Sequence, residues 1–469
     1  MIDRREILEA ASAFSLLPNV VEKDYVLGWI LAGIQAHEEL QESWAFKGGT
    51  CLKKCYFETY RFSEDLDFTL SDESHLDEEF LRPVFEEVTA WVAEQSGLTI
   101  PVNQIEFDIY KNSRGRMNCQ GKIAYRGPVS PTSGGWPKIK LDLTADERLV
   151  LPPVRREVFH PYTDRPGEGI WSNCYAYEEA FGEKFRALGE RTRPRDLYDV
   201  VNLYRHTDSR PPAAVLRDVL RQKCEYKGIP MPTLESLRPH LEALSGMWSD
   251  MLAHQLPFLP PLSDFWDALP EIFDWLLGRV EIPQPAFIAH PAGEVAVRAR
   301  VLPASVPLRS RSMLETIRFA AANHLCVDLT YDGSVRRIEP YSLHQTSEGN
   351  LVLHAIRANS GEHRSYRVDR IQGDAVTTQV FRPTYAVELT STGPLNIAPS
   401  VVALRAPRIS RTRRVAATRP RQGPTYVYRC TVCNRTFNRT TMDGTLNPHK
   451  HPHGYECPGR IGVYVRTKY

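Results

Sequence analysis

Arg61-Phe62-Ser63-Glu64-Asp65-Leu66-Asp67-Phe68 is the stretch on which the fold turns. Alternate residues of a β-strand share a face. Ser63, Asp65 and Asp67 therefore project to one side, while Phe62, Leu66 and Phe68 bury on the other. Two carboxylates side by side repel each other, and Mg²⁺ prefers hard oxygen ligands that it can bridge to substrate phosphates. A cation site is thus the functional reading; a solvated acidic strand edge is the bland one, and the apolar opposite face argues against it.

Upstream, Lys47-Gly48-Gly49-Thr50 lies between a short strand, Trp44-Ala45-Phe46, and a short helix over about 50–58. The glycines let the backbone turn and approach a ligand without a Cβ clash. A following helix offers free N–H groups to phosphate. Thr50 adds a hydroxyl, Lys53 or Lys54 a charge, and Lys47 and Ser63 flank the loop. By itself this is a tight turn. Downstream, Pro137-Lys138-Ile139-Lys140-Leu141-Asp142-Leu143-Thr144 is another alternating strand, with Asp142 its lone acid and Ile139, Leu141 and Leu143 on the opposite face. It supplies the third carboxylate that a two-metal site needs, provided its strand pairs beside Asp65.

Around this core, residues 4–17, 20–41 and 76–95 read as helices, and stretches near 104–110 and 117–125 as strands. From about 175 to 280 the pattern is helical, so the class is α+β. That helical half carries Glu183-Lys184-Phe185-Arg186-Ala187-Leu188 and Arg193-Pro194-Arg195-Asp196-Leu197-Tyr198-Asp199. A cleft-facing Lys184 is a candidate for holding a triphosphate.

In order along the chain stand Val21-Glu22-Lys23-Asp24-Tyr25-Val26, Phe46-Lys47-Gly48-Gly49-Thr50-x-Leu52-x-Lys54, the Arg61–Asp67 stretch, Lys140-Leu141-Asp142, and Glu183-Lys184-x-x-Ala187-Leu188 through Arg195-Asp196-x-Tyr198-Asp199. This series resembles the AbiEii/AbiGii toxin family of nucleotidyltransferases over roughly residues 1–280. The resemblance implies a DNA polymerase β-like core with a helical C-terminal half. It implies an Mg²⁺-dependent toxin (two ions) that moves a nucleoside monophosphate from an NTP to an RNA acceptor, foremost a tRNA 3′ end by family analogy, in toxin–antitoxin or abortive phage infection defence. Carried over, Gly49 and Thr50 meet the phosphates, Asp65 and Asp67 bind metal, and Asp142 is third ligand and base. Lys184 contacts nucleotide phosphate and Asp196 is an active-site acid. A cognate antitoxin is the implied protein partner.

Residues 281–312 are rich in Pro and small residues and read as a linker. Residues 313–384 open with a helix, Met313–Asn323, followed by short strands. The pieces Val327-x-Leu329-x-Tyr331, Arg337-x-Glu339-Pro340-Tyr341, Leu351-Val352-Leu353-His354-Ala355 and Arg364-x-Tyr366-Arg367-Val368-Asp369-Arg370-Ile371 are similar to a WYL domain. That implies an SH3-like β-barrel binding nucleic acid or a nucleotide-like ligand, with Tyr331, Arg337, His354, Arg367 and Arg370 as candidates. Leu351-Val352-Leu353 replaces the name-giving triplet.

Residues 385–424 read as a basic linker and 425–469 as a small zinc ribbon or finger. Cys430-x2-Cys433 is a metal knuckle suited to tetrahedral Zn²⁺. Phe437 and Leu446 favour His449 as third ligand over His451 and His453, and Cys457 is the fourth. Residues 385–469 hold 14 Lys and Arg against three acids, a net +11 in a chain whose total is +1. A basic tail on an acidic body points to a polyanionic partner. Arg429, Arg435, Lys450 and Arg460 interleaved with Tyr426, Tyr428 and Phe437 suit RNA contact.

The 469 residues suggest two to four domains, 1–282 being the first. No apolar run reaches the roughly 18 residues that span a bilayer. The start, Met-Ile-Asp-Arg-Arg-Glu, lacks a signal-peptide core, so a cytoplasmic protein without a membrane partner is expected. Two other function classes fit less of the sequence: a ligand-responsive nucleic-acid-binding regulator with a lapsed catalytic core, and a protein-modifying nucleotidyltransferase.

Overall fold

The structure, a computed structural model, describes residues 1–57, 61–131, 133–207, 209–282, 285–297, 308–390, 425–450 and 456–468. Most of the basic linker, and His451, His453 and Tyr455, lie outside them.

The first part runs α1 (Arg4–Phe14), α2 (Pro18–Ala36), α3 (Glu38–Ser43), β1 (Trp44–Lys47), α4 (Gly48–Cys51) with a π turn (Leu52–Tyr56), β2 (Asp65–Leu70), α5 (Glu78–Ser96), β3 (Ile105–Lys111), β4 (Met117–Ala124), β5 (Lys138–Thr144), β6 (Val154–Val158) and β7 (Ile170–Cys174). Helices follow: α6 (Tyr177–Arg191), α7 (Pro194–Arg205), α8 (Ala213–Lys227), α9 (Leu234–Leu237), α10 (Leu241–Leu252), α11 (Leu262–Trp266) and α12 (Leu269–Leu276). This is the α+β arrangement expected. The predicted helix 20–41 breaks where His37 takes an extended conformation (φ −83°, ψ 122°). Strands β6 and β7 were not anticipated, because β6 reads Val-Arg-Arg-Glu-Val and the buried face of β7 includes a serine, Ser172.

Helix α2 is buried on nearly all sides, from Val20 to Ile34. Its polar residues are each taken up by a different segment. Glu22 accepts from the Val129 and Ser130 amides at 2.5 and 2.9 Å. Lys23 meets Glu64 at 2.8 Å, and Tyr25 donates to Asp164 at 2.6 Å. Asp24 receives Lys54 Nζ at 2.8 Å and the Tyr162 hydroxyl at 3.1 Å. The Val21–Tyr25 motif is therefore a fastening of the core.

Ten strands form one mixed sheet in the order β15-β14-β18-β3-β4-β5-β2-β1-β7-β6. Pairs β1–β7 and β2–β5 are parallel. Strands β14 (Thr425–Cys430), β15 (Thr436–Arg439) and β18 (Gly462–Lys468) come from the C-terminal unit, whose remaining strands β16 (His449–Lys450) and β17 (Glu456–Cys457) pair with each other. That unit joins the sheet through Lys468 opposite Tyr110, an attachment no local pattern announces.

A second, antiparallel sheet has the order β12-β11-β10-β9-β13, with β8 also on β10. Its strands are β8 (Val295–Ala296), β9 (Leu325–Tyr331), β10 (Ser334–Gln345), β11 (Leu351–Arg357), β12 (His363–Arg367) and β13 (Ile371–Val380), with α13 (Leu308–Ala322) packed on it. Part of the expected 281–312 linker belongs to this unit. Besides the β8 pairing, Ile288 is buried with Tyr341 and Phe381. The unit docks on the first part through α13 and α1, where Ser312 Oγ donates to the Ser12 carbonyl at 3.2 Å.

Breaking a buried ion pair leaves an uncompensated charge and costs about 3–5 kcal/mol, whereas exposed pairs are worth about 0–1 kcal/mol. Asp24→Ala, which strips Lys54 of its carboxylate, is expected to lower the unfolding free energy from urea titration by that larger amount. Lys23→Ala, at the more exposed end of the same motif, is expected to shift it little.

Candidate active site

Register places the site. On the sheet, Lys47 lies opposite Asp67, Asp67 opposite Asp142, Asp142 opposite Gln120, and Gln120 opposite Asp108. Directly paired residues share a face, so these five side chains form one row across five strands. Asp65, two residues before Asp67, falls on the same face. The apolar partners Leu66, Phe68, Ile139, Leu141 and Leu143 are all fully buried on the other side.

The glycine loop closes over this row. Gly48 has φ +80°, and a Cβ there would stand 2.0 Å from Asp67 Oδ2. The carboxylate thus occupies the space that the missing side chain leaves. At Gly49 a Cβ would meet Arg61 at 2.5 Å and Ser63 Oγ at 3.0 Å. Thr50 is buried, and its hydroxyl donates to the Asp65 carbonyl at 2.5 Å, pinning the loop to β2.

The helical half supplies the opposite wall. Lys184 on α6 meets Asp199 on α7 at 2.7 Å. Arg61 donates to both oxygens of Asp199 at 2.7 and 2.8 Å and to Gln255 at 3.1 Å. These two cations hold the buried Asp199 carboxyl well below the usual carboxylate range. Lys47 approaches Glu147 at 3.7 Å.

The acids behave otherwise. Burial, then the charge of Asp142, pushes Asp67 up to about 6, although Lys47 and Lys184 pull the other way. Burial, then the charge of Asp65, raises Asp142. Three carboxylates compete for negative charge in a low-dielectric pocket. Divalent cations relieve that conflict, and the all-carboxylate donor set suits Mg²⁺.

Lys47, Gly48, Gly49, Ser63, Asp65, Asp67, Asp142 and Lys184 thus gather as the sequence suggests. Three candidates are engaged elsewhere, Thr50 through the bond of its hydroxyl to the Asp65 carbonyl. Lys54, expected at the phosphates, is buried against Asp24. Asp196, expected as an active-site acid, is held by Arg191 at 2.7 and 2.9 Å. The carboxylate bound to Lys184 is Asp199. Gln120 and Asp108 escaped the sequence reading; the alternation of β3 and β4 hints at them, but only register brings them into the row.

The C-terminal unit gathers Cys430, Cys433, His449 and Cys457, whose ligand atoms lie within 4.8 Å of one another. The sulfurs of Cys430 and Cys457 are 3.8 Å apart, and Cys433 Sγ is 3.3 Å from His449 Nε2. Zn–S bonds of about 2.3 Å in a tetrahedron require sulfurs about 3.8 Å apart. Backbone N–H groups, that of Cys433 foremost, pull Cys430 down to about 6. His449 Nδ1 lies 2.8 Å from the Asn447 carbonyl, an arrangement that leaves Nε2 for an ion. The four residues fit Zn²⁺.

In the antiparallel sheet, Arg337 is paired with both oxygens of Asp328 at 2.7 and 2.8 Å, and Arg367 with Asp369 and Asn350. Tyr331 is buried edge-on to Tyr366, and Arg370 is exposed. His354 is fully buried and meets Glu294 at 2.7 Å.

Residues 29–278 match the family described as nucleotidyl transferase AbiEii toxin, type IV TA system, and residues 312–375 match the WYL domain. Among solved structures, the nucleotidyltransferase toxin MenT4 from Mycobacterium tuberculosis aligns with 58% of this chain and 87% of its own length, at 19% identity and a TM-score of 0.35. No curated protein matches the chain. In the described residues no helix is long and apolar enough to cross a membrane.

A carboxyl whose native pKa is raised loses native-state stability as pH rises from its unfolded value through its folded one. In metal-free buffer, Asp67→Asn is therefore expected to stabilise the protein near pH 8 by up to about 3 kcal/mol. The gain should fade as pH drops towards about 4, where both side chains are neutral. Saturating Mg²⁺ should also narrow it, by stabilising the wild type. Thermal unfolding of both proteins across pH, with and without Mg²⁺, measures this.

Proposed function

This chain belongs to the AbiEii family of nucleotidyltransferase toxins and carries a WYL domain, and on that premise we propose that it transfers a nucleoside monophosphate from an NTP to an RNA 3′ hydroxyl, with tRNA the foremost acceptor class. The observation that carries this reading is the parallel, in-register pairing that seats Asp67 beside Asp142, facing a wall with Lys184.

Asp65 and Asp67 would hold Mg²⁺, with Asp142 completing the site for a second ion. Bound there, the ions neutralise the triphosphate and lower the barrier to attack by the acceptor hydroxyl. The chain's own groups do the rest. Asp142 would accept the hydroxyl proton. Lys47 and Lys184 offset the charge that builds on the leaving pyrophosphate. Gly48 and Gly49 let the loop backbone approach the phosphates, with Ser63 beside them. Arg61 and Asp199 act at one remove, fixing Lys184 and the loop. Asp196 and Lys54 act through packing.

The C-terminal unit, held by Zn²⁺ on Cys430, Cys433, His449 and Cys457, would be the RNA-contacting arm. Arg466 pairs with Asp108, and Lys468 lies 3.6 Å from it, at the end of the row that contains Asp142. A nucleic acid on this basic strand would run towards the carboxylates. The antiparallel sheet would be the SH3-like barrel of WYL units, with Arg337, Arg367 and the exposed Arg370 as its ligand contacts and Tyr331 on the opposite face, packed against Tyr366. The domain limits proposed are 1–282, 313–384 with residues 285–297 added, and 425–469 after a basic linker. A cytoplasmic toxin–antitoxin or anti-phage role, with a cognate antitoxin, accords with the family.

Incubation with labelled NTPs and total tRNA should label RNA with the wild type. Removing a metal ligand forfeits several kcal/mol of transition-state stabilisation, so Asp65→Ala should cut the rate at least about 100-fold. Equal labelling by both proteins would refute the proposal. Cys457→Ser should release one zinc per chain and raise the KM for RNA more than it lowers kcat, as elemental analysis and initial rates would report.

A further inference from the structure

A second cluster of metal-type ligands lies in the antiparallel sheet, remote in sequence from both sites above. Glu294 comes from the segment before β8, His344 from β10 and His354 from β11, and one ligand atom of each lies within 4.8 Å of the others. His354 Nε2 is 2.7 Å from Glu294 Oε2, and His344 Nδ1 is 4.0 Å from the same oxygen. On its far side, His344 Nε2 is 3.6 Å from Glu388 Oε2.

The two histidines are 1% and 0% exposed. Among the described residues neither ring nitrogen of His344 has a hydrogen-bond partner. Its nearest acceptors, the Glu388 and Glu294 carboxylates at 3.6 and 4.0 Å, stand beyond ordinary hydrogen-bond length, and a buried polar group held this loosely costs about 1–3 kcal/mol, which an ion between the ring and these carboxylates would recover. His354, by contrast, has its second nitrogen positioned: Nδ1 lies 3.1 Å from His363 Nε2 and 3.3 Å from Ser365 Oγ. Metal-bound histidines are commonly oriented in this way through the nitrogen that does not bind.

We propose that Glu294, His344 and His354, with Glu388 within reach as a fourth ligand, form a site for a divalent first-row transition ion. Two imidazoles and a carboxylate suit the Zn²⁺ and Co²⁺ class better than Mg²⁺. Metal–ligand bonds of about 2.1 Å put tetrahedral ligand atoms roughly 3.4 Å apart. The pocket meets this by opening the Glu294–His354 contact and drawing His344 in. His290 and His363, both exposed at its rim, offer an entry path. Glu294 precedes the sheet and Glu388 follows it, so a bound ion would clip both connecting segments of the unit onto β10 and β11.

The test uses the full-length protein stripped of metal, dialysed against Co²⁺ in excess Mg²⁺ to fill the carboxylate site. The wild type should retain two Co²⁺ per chain, one giving the near-ultraviolet thiolate charge-transfer band and the other only weak visible bands. A His344→Gln/His354→Gln variant should retain one and keep the thiolate band. A Cys430→Ser/Cys457→Ser variant should retain one and lose that band. Should the double histidine variant fail to fold, Glu294→Gln, at a partly exposed position, should weaken the second Co²⁺ at least about tenfold. One Co²⁺ per wild-type chain, or uptake unchanged by these substitutions, would overturn the proposal and leave Glu294 and His354 as a hydrogen-bonded pair.

Discussion

The parallel pairing of β2 with β5 is the constraint on which the site depends. Because Asp67 stands opposite Asp142 in that ladder, two carboxylates share one face without any loop having to place them. A slip of one residue would turn the acids of β2 into the core and Leu66 and Phe68 out of it. The apolar residues on the reverse face forbid the slip, so the burial that stabilises the sheet also aligns the acids.

The arrangement is electrostatically unfavourable without a cation, and the surrounding structure restrains it. Gly48 makes room for Asp67 only because it has no side chain. The buried Arg61 ties the loop side of the cleft to α7 through Asp199, which also orients Lys184. Without Asp199, Arg61 would lose its two-pronged carboxylate contact at 2% exposure, next to the glycine loop. Buried carboxylates that raise one another's pKa, with ion pairs nearby, form the pattern expected of a candidate metal site.

Much of this was legible in the sequence because it rests on local period. Alternation in Phe62–Phe68 and Ile139–Leu143 located both strands and the face that carries the acids, and the Cys and His spacing located the C-terminal cluster. What escaped notice depends on contacts distant in sequence. Lys54 looks like a phosphate ligand beside a glycine loop, but its turn of helix faces the buried Asp24. Asp196 and Asp199 are equivalent by spacing, and only the positions of Arg191 and Arg61 separate them. The β18–β3 pairing joins residues more than 350 positions apart, and the Glu294–His344–His354 cluster draws on a segment that composition marks as linker.

Divalent-ion binding by the three carboxylates is the central claim, and Mn²⁺ paramagnetic resonance tests it most directly. With Zn²⁺ filling the cysteine and histidine sites and a non-hydrolysable NTP analogue present, the wild type should bind two Mn²⁺ with the spin coupling of ions a few ångströms apart. Asp142→Asn should bind one, uncoupled, while keeping its fold. Two coupled ions in that variant, or none in the wild type, would contradict the account.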